Sequence, residues 1–214
     1  MVSFSKILSR INPLYEGTRE EIEKVIHYGT DIIMLPMFRS ADDVRTFVDL
    51  VGGRVTTCLL LETAQAMVRI DDILEVVGID EIHIGLNDLH LSLGLDFMFE
   101  PLSCGVVEYL GNKIQNKGIR WGFGGIAQIG EGMVPAEYII GEHIRLGSEM
   151  VILSRAFRNK EDISFVGPVN KIRNKIDETK RWNAAEFEEN REAIQMAVRK
   201  TVLEMSAKKS EILI

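Results

Sequence analysis

The chain has 214 residues, 46% of them hydrophobic and 27% charged, which is enough to bury one sizeable globular core. The formal charge of −7 and the lack of a basic patch argue against nucleic acid and anionic membrane as partners. No apolar run nears the roughly 18 residues of a spanning helix, and the start lacks a signal-peptide pattern, so the cytoplasm is the expected compartment. The two cysteines, Cys58 and Cys104, make no disulfide framework, and Cys58 lies in an apolar strand pattern.

In chain order, residues 6–12 read as a short strand with Arg10 and Asn12 at its end. Thr18 and Glu21 have the spacing of a capping box, and Ile22, Val25 and Ile26 form a helical stripe that stops at Gly29. A buried strand over 31–37 is followed by Ser40 and Asp43 as the next cap, with Val44, Phe47, Val48 and Val51 as the helix face. The apolar run 55–61 ends on Glu62. Thr63 then caps a helix with a Met67, Ile70, Leu74, Val77 stripe, and a strand over 81–87 ends at Asp88. A loop is expected from Asp88 to about Pro101, then a helix on Val106, Leu110 and Ile114. The next strand, 119–127, contains Gly122-Phe-Gly124-Gly-Ile-Ala127. This matches a dinucleotide fingerprint only in letters, because two more glycines and Pro135 follow where that site needs a helix to begin. Pro135 opens a helix to Leu146, and 149–153 is the last strand, leading to Arg155 and Phe157.

Six strands alternating with helices predict parallel pairing with right-handed crossovers. Beyond Asn159 two charged, amphipathic helices follow, with Phe187, Ile194, Val198 and Val202 on one face. The expected division is a barrel over 1–159 and a helical extension over 160–214. The extension either covers its own barrel or joins a second subunit.

Glu62 and Asp88 are the main functional clue. Each follows a buried-strand pattern at its C-terminal end, where parallel α/β folds bind ligands, and the strands are consecutive. Two carboxylates with waters and a keto acid would give an all-oxygen shell, which suits Mg²⁺ or Mn²⁺ over Zn²⁺. His90, two residues beyond Asp88, is the one residue in reach that could serve as a base, against the plainer reading of a loop histidine facing water. His83, inside a strand, reads as structural; His27 and His143, on helices, carry no functional signal.

Ser9-Arg10-Ile11-Asn12, Met34-Leu35-Pro36 with Ser40 to Val44, Leu61-Glu62-Thr63-Ala64, and Ile84 to Leu89 with Leu93-Gly94 together resemble the HpcH/HpaI aldolase and citrate lyase β-subunit family. That resemblance implies a phosphoenolpyruvate/pyruvate-type TIM barrel and carbon–carbon lyase activity on a small 2-oxo acid or an acyl-CoA thioester. It implies Glu62 and Asp88 as metal ligands, Mg²⁺ or a similar ion as cofactor, and Arg10 as the contact to substrate oxygen. In an aldol cleavage the ion and the guanidinium would stabilise the enolate left behind.

The departures are specific. The matches begin at the family's third strand, so two βα units look absent, and with them the position of the aldolase branch's histidine base. Leu60 stands where that branch has glutamine, and His90 where the family often has serine. A catalytically degenerate member that binds a metal or keto acid, or assembles with a partner, is the alternative. A barrel short of two strands exposes parallel edges, which predicts a homo-oligomer through the C-terminal helices or a partner chain over the open edge.

Overall fold

A computed structural model describes residues 5–154, 157 and 166–212, with side chains described as far as residue 207. Six strands form one parallel sheet in chain order: β1 (Leu8–Arg10), β2 (Ile32–Leu35), β3 (Thr56–Leu61), β4 (Glu81–Ile84), β5 (Arg120–Ile126) and β6 (Met150–Leu153). β2, β3 and β4 are almost wholly buried, as expected of parallel strands covered on both faces. Among the described residues β6 does not close onto β1, so the architecture is an incomplete TIM-type barrel with helices around it.

The register sorts the two faces. Ile33, Leu35, Leu59, Leu61, Ile82, Ile84, Trp121 and Phe123 point outward into the main core, beneath α1 (Thr18–His27), α2 (Ala41–Val51) and α7 (Val106–Asn116). Ile32, Met34, Cys58 and Leu60 form a separate cluster on the inner face. Leu8 and Arg10 lie in the same lateral rows as Ile32 and Met34, so they also belong to the inner face. A third cluster gathers Ile126, Ala136, Ile140, Phe157 and Ile172 around α8 (Ala136–Arg145) and α9 (Val166–Thr179).

Several local expectations are corrected. The Thr18–Glu21 capping box does not form. Gly17 is the N-cap, Thr18 Oγ1 accepts from the Tyr15 amide, and Glu21 accepts from the Asn12 amide and side chain. By contrast, Ser40 and Asp43 do form one, and Thr63 caps its helix through the Ala66 amide. That helix is broken in two at Arg69, into α3 (Ala64–Val68) and α4 (Ile70–Leu74). The break shifts the buried face, so Val76 is covered and Val77 is exposed. The expected loop after β4 is instead helical in α5 (Leu86–Ser92) and α6 (Glu100–Ser103).

The glycines of β5 serve packing. A Cβ on Gly122 would lie 2.0 Å from the Met150 carbonyl oxygen, so only glycine lets β6 come this close. β5 runs through the whole Gly122–Ile126 stretch, with a register shift between Gly122 and Gly125 and no helix beginning there.

The tail expectation resolves toward the chain's own barrel. α10 (Ala184–Ile212) packs on α8 and α6, burying Ile194 and Val198. Of the apolar face that motivated tail-mediated oligomerisation, Ile194 and Val198 are covered within the chain, while Phe187 and Val202 stay half-buried. Residues 159 and 160, the expected domain boundary, lie outside the described residues, as does Arg155. Phe157 is buried in the third cluster. Among the described residues no helix is long and apolar enough to cross a membrane.

Candidate active site

Glu62 follows β3 directly, and its side chain is only 3% exposed. Its Oε1 accepts from the Met37 amide at 3.1 Å. Its other oxygen lies over the end of β4, because a Cβ on Gly85 would sit 2.9 Å from Oε2. Glycine at 85 therefore leaves open a cradle that any side chain would fill. The Gly85 amide donates to the Leu61 carbonyl, which fixes the two strand ends side by side.

Asp88 is not the strand-end residue expected. β4 stops at Ile84, Gly85 is the cap, and Asp88 sits in the first turn of α5. There its charge suits the positive end of the helix. The structure nevertheless brings it to Glu62, whose carboxyl feels Asp88 both as a nearby charge and as a hydrogen-bonding partner. Burial is the main force raising the Glu62 carboxyl to about 7. The Met37 amide pulls it down, the Asp88 charge pushes it up, and the Arg10 guanidinium pulls it down. Arg10, the last residue of β1, is exposed at the open edge and close enough for its charge to reach Glu62. Three of the four expected site residues therefore share one neighbourhood.

His90 is placed differently. It lies on α5 and is 93% buried rather than facing water, with Nδ1 3.3 Å from the Leu86 carbonyl. At 100° per residue it points about 200° around the helix from Asp88. Asn12 is bound by Glu21 and contributes nothing to the pair. His83 is buried, with Nε2 2.9 Å from the Gly124 carbonyl, as a structural histidine should be, and burial pushes its pKa down.

Two features went unseen in the sequence. Met37 is the only non-glycine residue with positive φ among those described, and methionine carries no signal for that backbone. His143 stacks on Phe123 at 3.8 Å and 6°, with Nδ1 2.7 Å from Ser148 Oγ. Burial drives its pKa down to about 3, with the nearby His83 adding to the effect.

Among the described residues no group of three or more His, Cys, Asp or Glu side chains could hold a metal ion. A divalent ion would therefore have two carboxylates from the protein and would take its remaining oxygens from substrate and water, the habit of Mg²⁺. The cradle at Gly85 and the buried Glu62 carboxyl beside half-buried Asp88 fit that ion.

An incomplete parallel barrel with acids gathered at its C-terminal mouth has the architecture of a TIM-barrel enzyme. Residues 3–98, β1 through α5, match the model of the HpcH/HpaI aldolase/citrate lyase family. The chemistry the family's name describes is of the lyase class. No curated protein matches the chain by sequence. Among solved structures it is similar to an HpcH/HpaI aldolase from Desulfitobacterium hafniense DCB-2, with TM-score 0.57 and 18% identity over 84% of this chain and 74% of that one. It is also similar to RipC from Yersinia pestis, with TM-score 0.61 and 16% identity over 85% and 79%. A third likeness is the citrate synthase SbnG, with TM-score 0.54 and 20% identity over 68% of this chain and 63% of that one. At these identities the likeness shows a shared fold.

Proposed function

We propose that the chain is a metal-dependent carbon–carbon lyase that acts on a small 2-oxo acid or an acyl-CoA thioester. The observation that carries this reading is the buried Glu62 carboxyl beside Asp88, with Arg10 in electrostatic range. Glu62 and Asp88 would hold Mg²⁺ or Mn²⁺. Bound there, the ion would supply Lewis-acid stabilisation of negative charge growing on the substrate's keto oxygen. Arg10 would pair with a substrate oxygen or carboxylate, and the closed wall of Leu60 and Met34 would keep water from the inner face.

A second reading is favoured by His90. Buried on the far side of α5 from Asp88, it is poorly placed to take a proton at the metal pair. In this reading the chain binds a metal and keto acid without turning it over. Either way the open edges support a partner. Ile7 and Leu8 at β1, and Ile152 and Leu153 at β6, are 41–55% exposed, and exposed apolar parallel edges are unfavourable. The proposed partner is a polypeptide that completes the barrel.

The test is release of pyruvate from 4-hydroxy-2-oxo acids, and of the acyl-CoA product from citramalyl- or malyl-CoA, with Mg²⁺ or Mn²⁺. Turnover that is lost in Asp88→Ala supports the lyase. No turnover with measurable Mn²⁺ or oxalate binding supports the second reading. Mn²⁺ binding unchanged in both Glu62→Ala and Asp88→Ala removes the metal site from both.

A further inference from the structure

The two oxygens of Glu62 are not equivalent. Oε1 is taken by the Met37 amide, and Oε2 overlies Gly85, the N-cap of the helix that carries Asp88. The donor of that hydrogen bond has φ +55°, a left-handed backbone that a methionine adopts only at a cost in free energy. Burial of the Met37 side chain does not enforce this conformation, since the residue is 39% exposed. What fixes the segment is a pair of bonds to the end of β3. One is the Met37 amide on Glu62, and the other is the Thr63 hydroxyl donating to the Phe38 carbonyl at 2.7 Å. Both tie the loop after β2 to the residues that follow β3.

We infer that Met37 is a positioning residue. Its left-handed backbone aims one amide at Oε1, so that Oε2 alone faces Asp88 and Glu62 offers a cation a single, oriented oxygen. Gly85 completes the device by leaving room for that oxygen. The inference rests on the metal reading above for its purpose, and on the Met37–Glu62 geometry for its substance. Without the amide, Glu62 is free to rotate and both oxygens compete for the site.

The experiment compares Met37→Gly, Met37→Val and Met37→Pro in the full chain. Glycine keeps the amide and favours positive φ; valine keeps the amide and resists positive φ; proline has no N–H and a fixed negative φ. Mn²⁺ affinity is read by electron paramagnetic resonance. Met37→Gly is expected to bind like the original chain, and Met37→Pro about tenfold more weakly, the worth of one hydrogen bond to a charged group. Met37→Val should fall between them, and the glycine–valine contrast decides the matter if the proline variant does not fold. A metal-free readout is hydrogen exchange of the Met37 amide by NMR, which should be slowed in the original chain and in Asp88→Ala but fast in Glu62→Ala. Equal Mn²⁺ affinity in all three variants, or a Met37 amide that exchanges no faster in Glu62→Ala, overturns the inference. If the original chain binds no Mn²⁺, the metal reading fails, and the amide exchange still decides whether Met37 holds Glu62.

Discussion

The first four strands and the last two are built for different tasks. β1 to β4 end on side chains with chemical capacity: Arg10, Glu62 and, one helical turn on, Asp88. β5 and β6 carry mainly glycines, aromatics and aliphatics, and around them the polar groups are locked into packing. Arg145 bonds both Glu108 and the 2%-exposed Glu142, and His143 lies flat on Phe123. The family match stops at residue 98, close to this divide. One buried group from each half, Glu62 and His143, is shifted in the opposite direction by the same cause. Burial disfavours charge, so the acid Glu62 rises to about 7 and the base His143 falls to about 3. One group is poised to change charge near neutrality, and the other is held neutral.

The largest expected effect tests the scaffold half. Gly122→Ala puts a Cβ against backbone that cannot yield without separating β5 from β6, so a loss of about 3 kcal/mol or more is expected in urea unfolding. An unchanged midpoint would mean that the two strands are not packed as described. Next, Arg145→Ala strands the buried Glu142 carboxylate and should cost about 2–3 kcal/mol.

The two titrating groups give opposite pH slopes. For His143 the folded pKa lies below the unfolded one, so its contribution is present above pH 6.5 and is lost as pH falls toward 3. Wild-type stability should fall across that window, and His143→Phe should flatten the decline by about 2 kcal/mol at pH 4. Glu62 is the reverse case, an acid whose folded pKa lies above the unfolded 4.5. Its contribution is full below pH 4.5 and is lost as pH rises through about 7. With chelator present, Glu62→Gln should be more stable than wild type by roughly 1–2 kcal/mol at pH 8 and indistinguishable at pH 4.5. A variant that is less stable at pH 8 would show that the carboxylate is compensated and the halves less distinct. At the small end, Arg45→Ala breaks only an exposed pair with Asp42 and should move stability by less than about 0.5 kcal/mol.

What the letters revealed follows the same divide. Buried parallel strands announce themselves as short apolar runs, which made β2, β3 and β4 the plainest, and the alternation with helices made the exposed β1 and β6 legible too. The secondary structure holding Asp88 was not, because seven residues are too few to show a helical period and Gly85 gives no side-chain cap. Nothing in the stretch from Ala64 to Leu74 marks the break at Arg69. His143 stayed silent because its partner Phe123 lies across the sheet interface, 20 positions away in sequence. The motifs that carry the family resemblance all lie before position 98, inside the span that matches; the likeness in order and spacing out to about residue 157 extends beyond it.

The open side of β1 has a further consequence. The Ile7 carbonyl and the Ile11 amide bond to β2, so by alternation the peptide groups of Leu8 and Arg10 turn the other way, toward solvent. Any strand that docks there must grip the main chain of the very residue whose charge is felt at Glu62. Recruitment of a neighbour and orientation of Arg10 would then be a single event, making this arginine a gauge of assembly as well as the proposed contact for substrate.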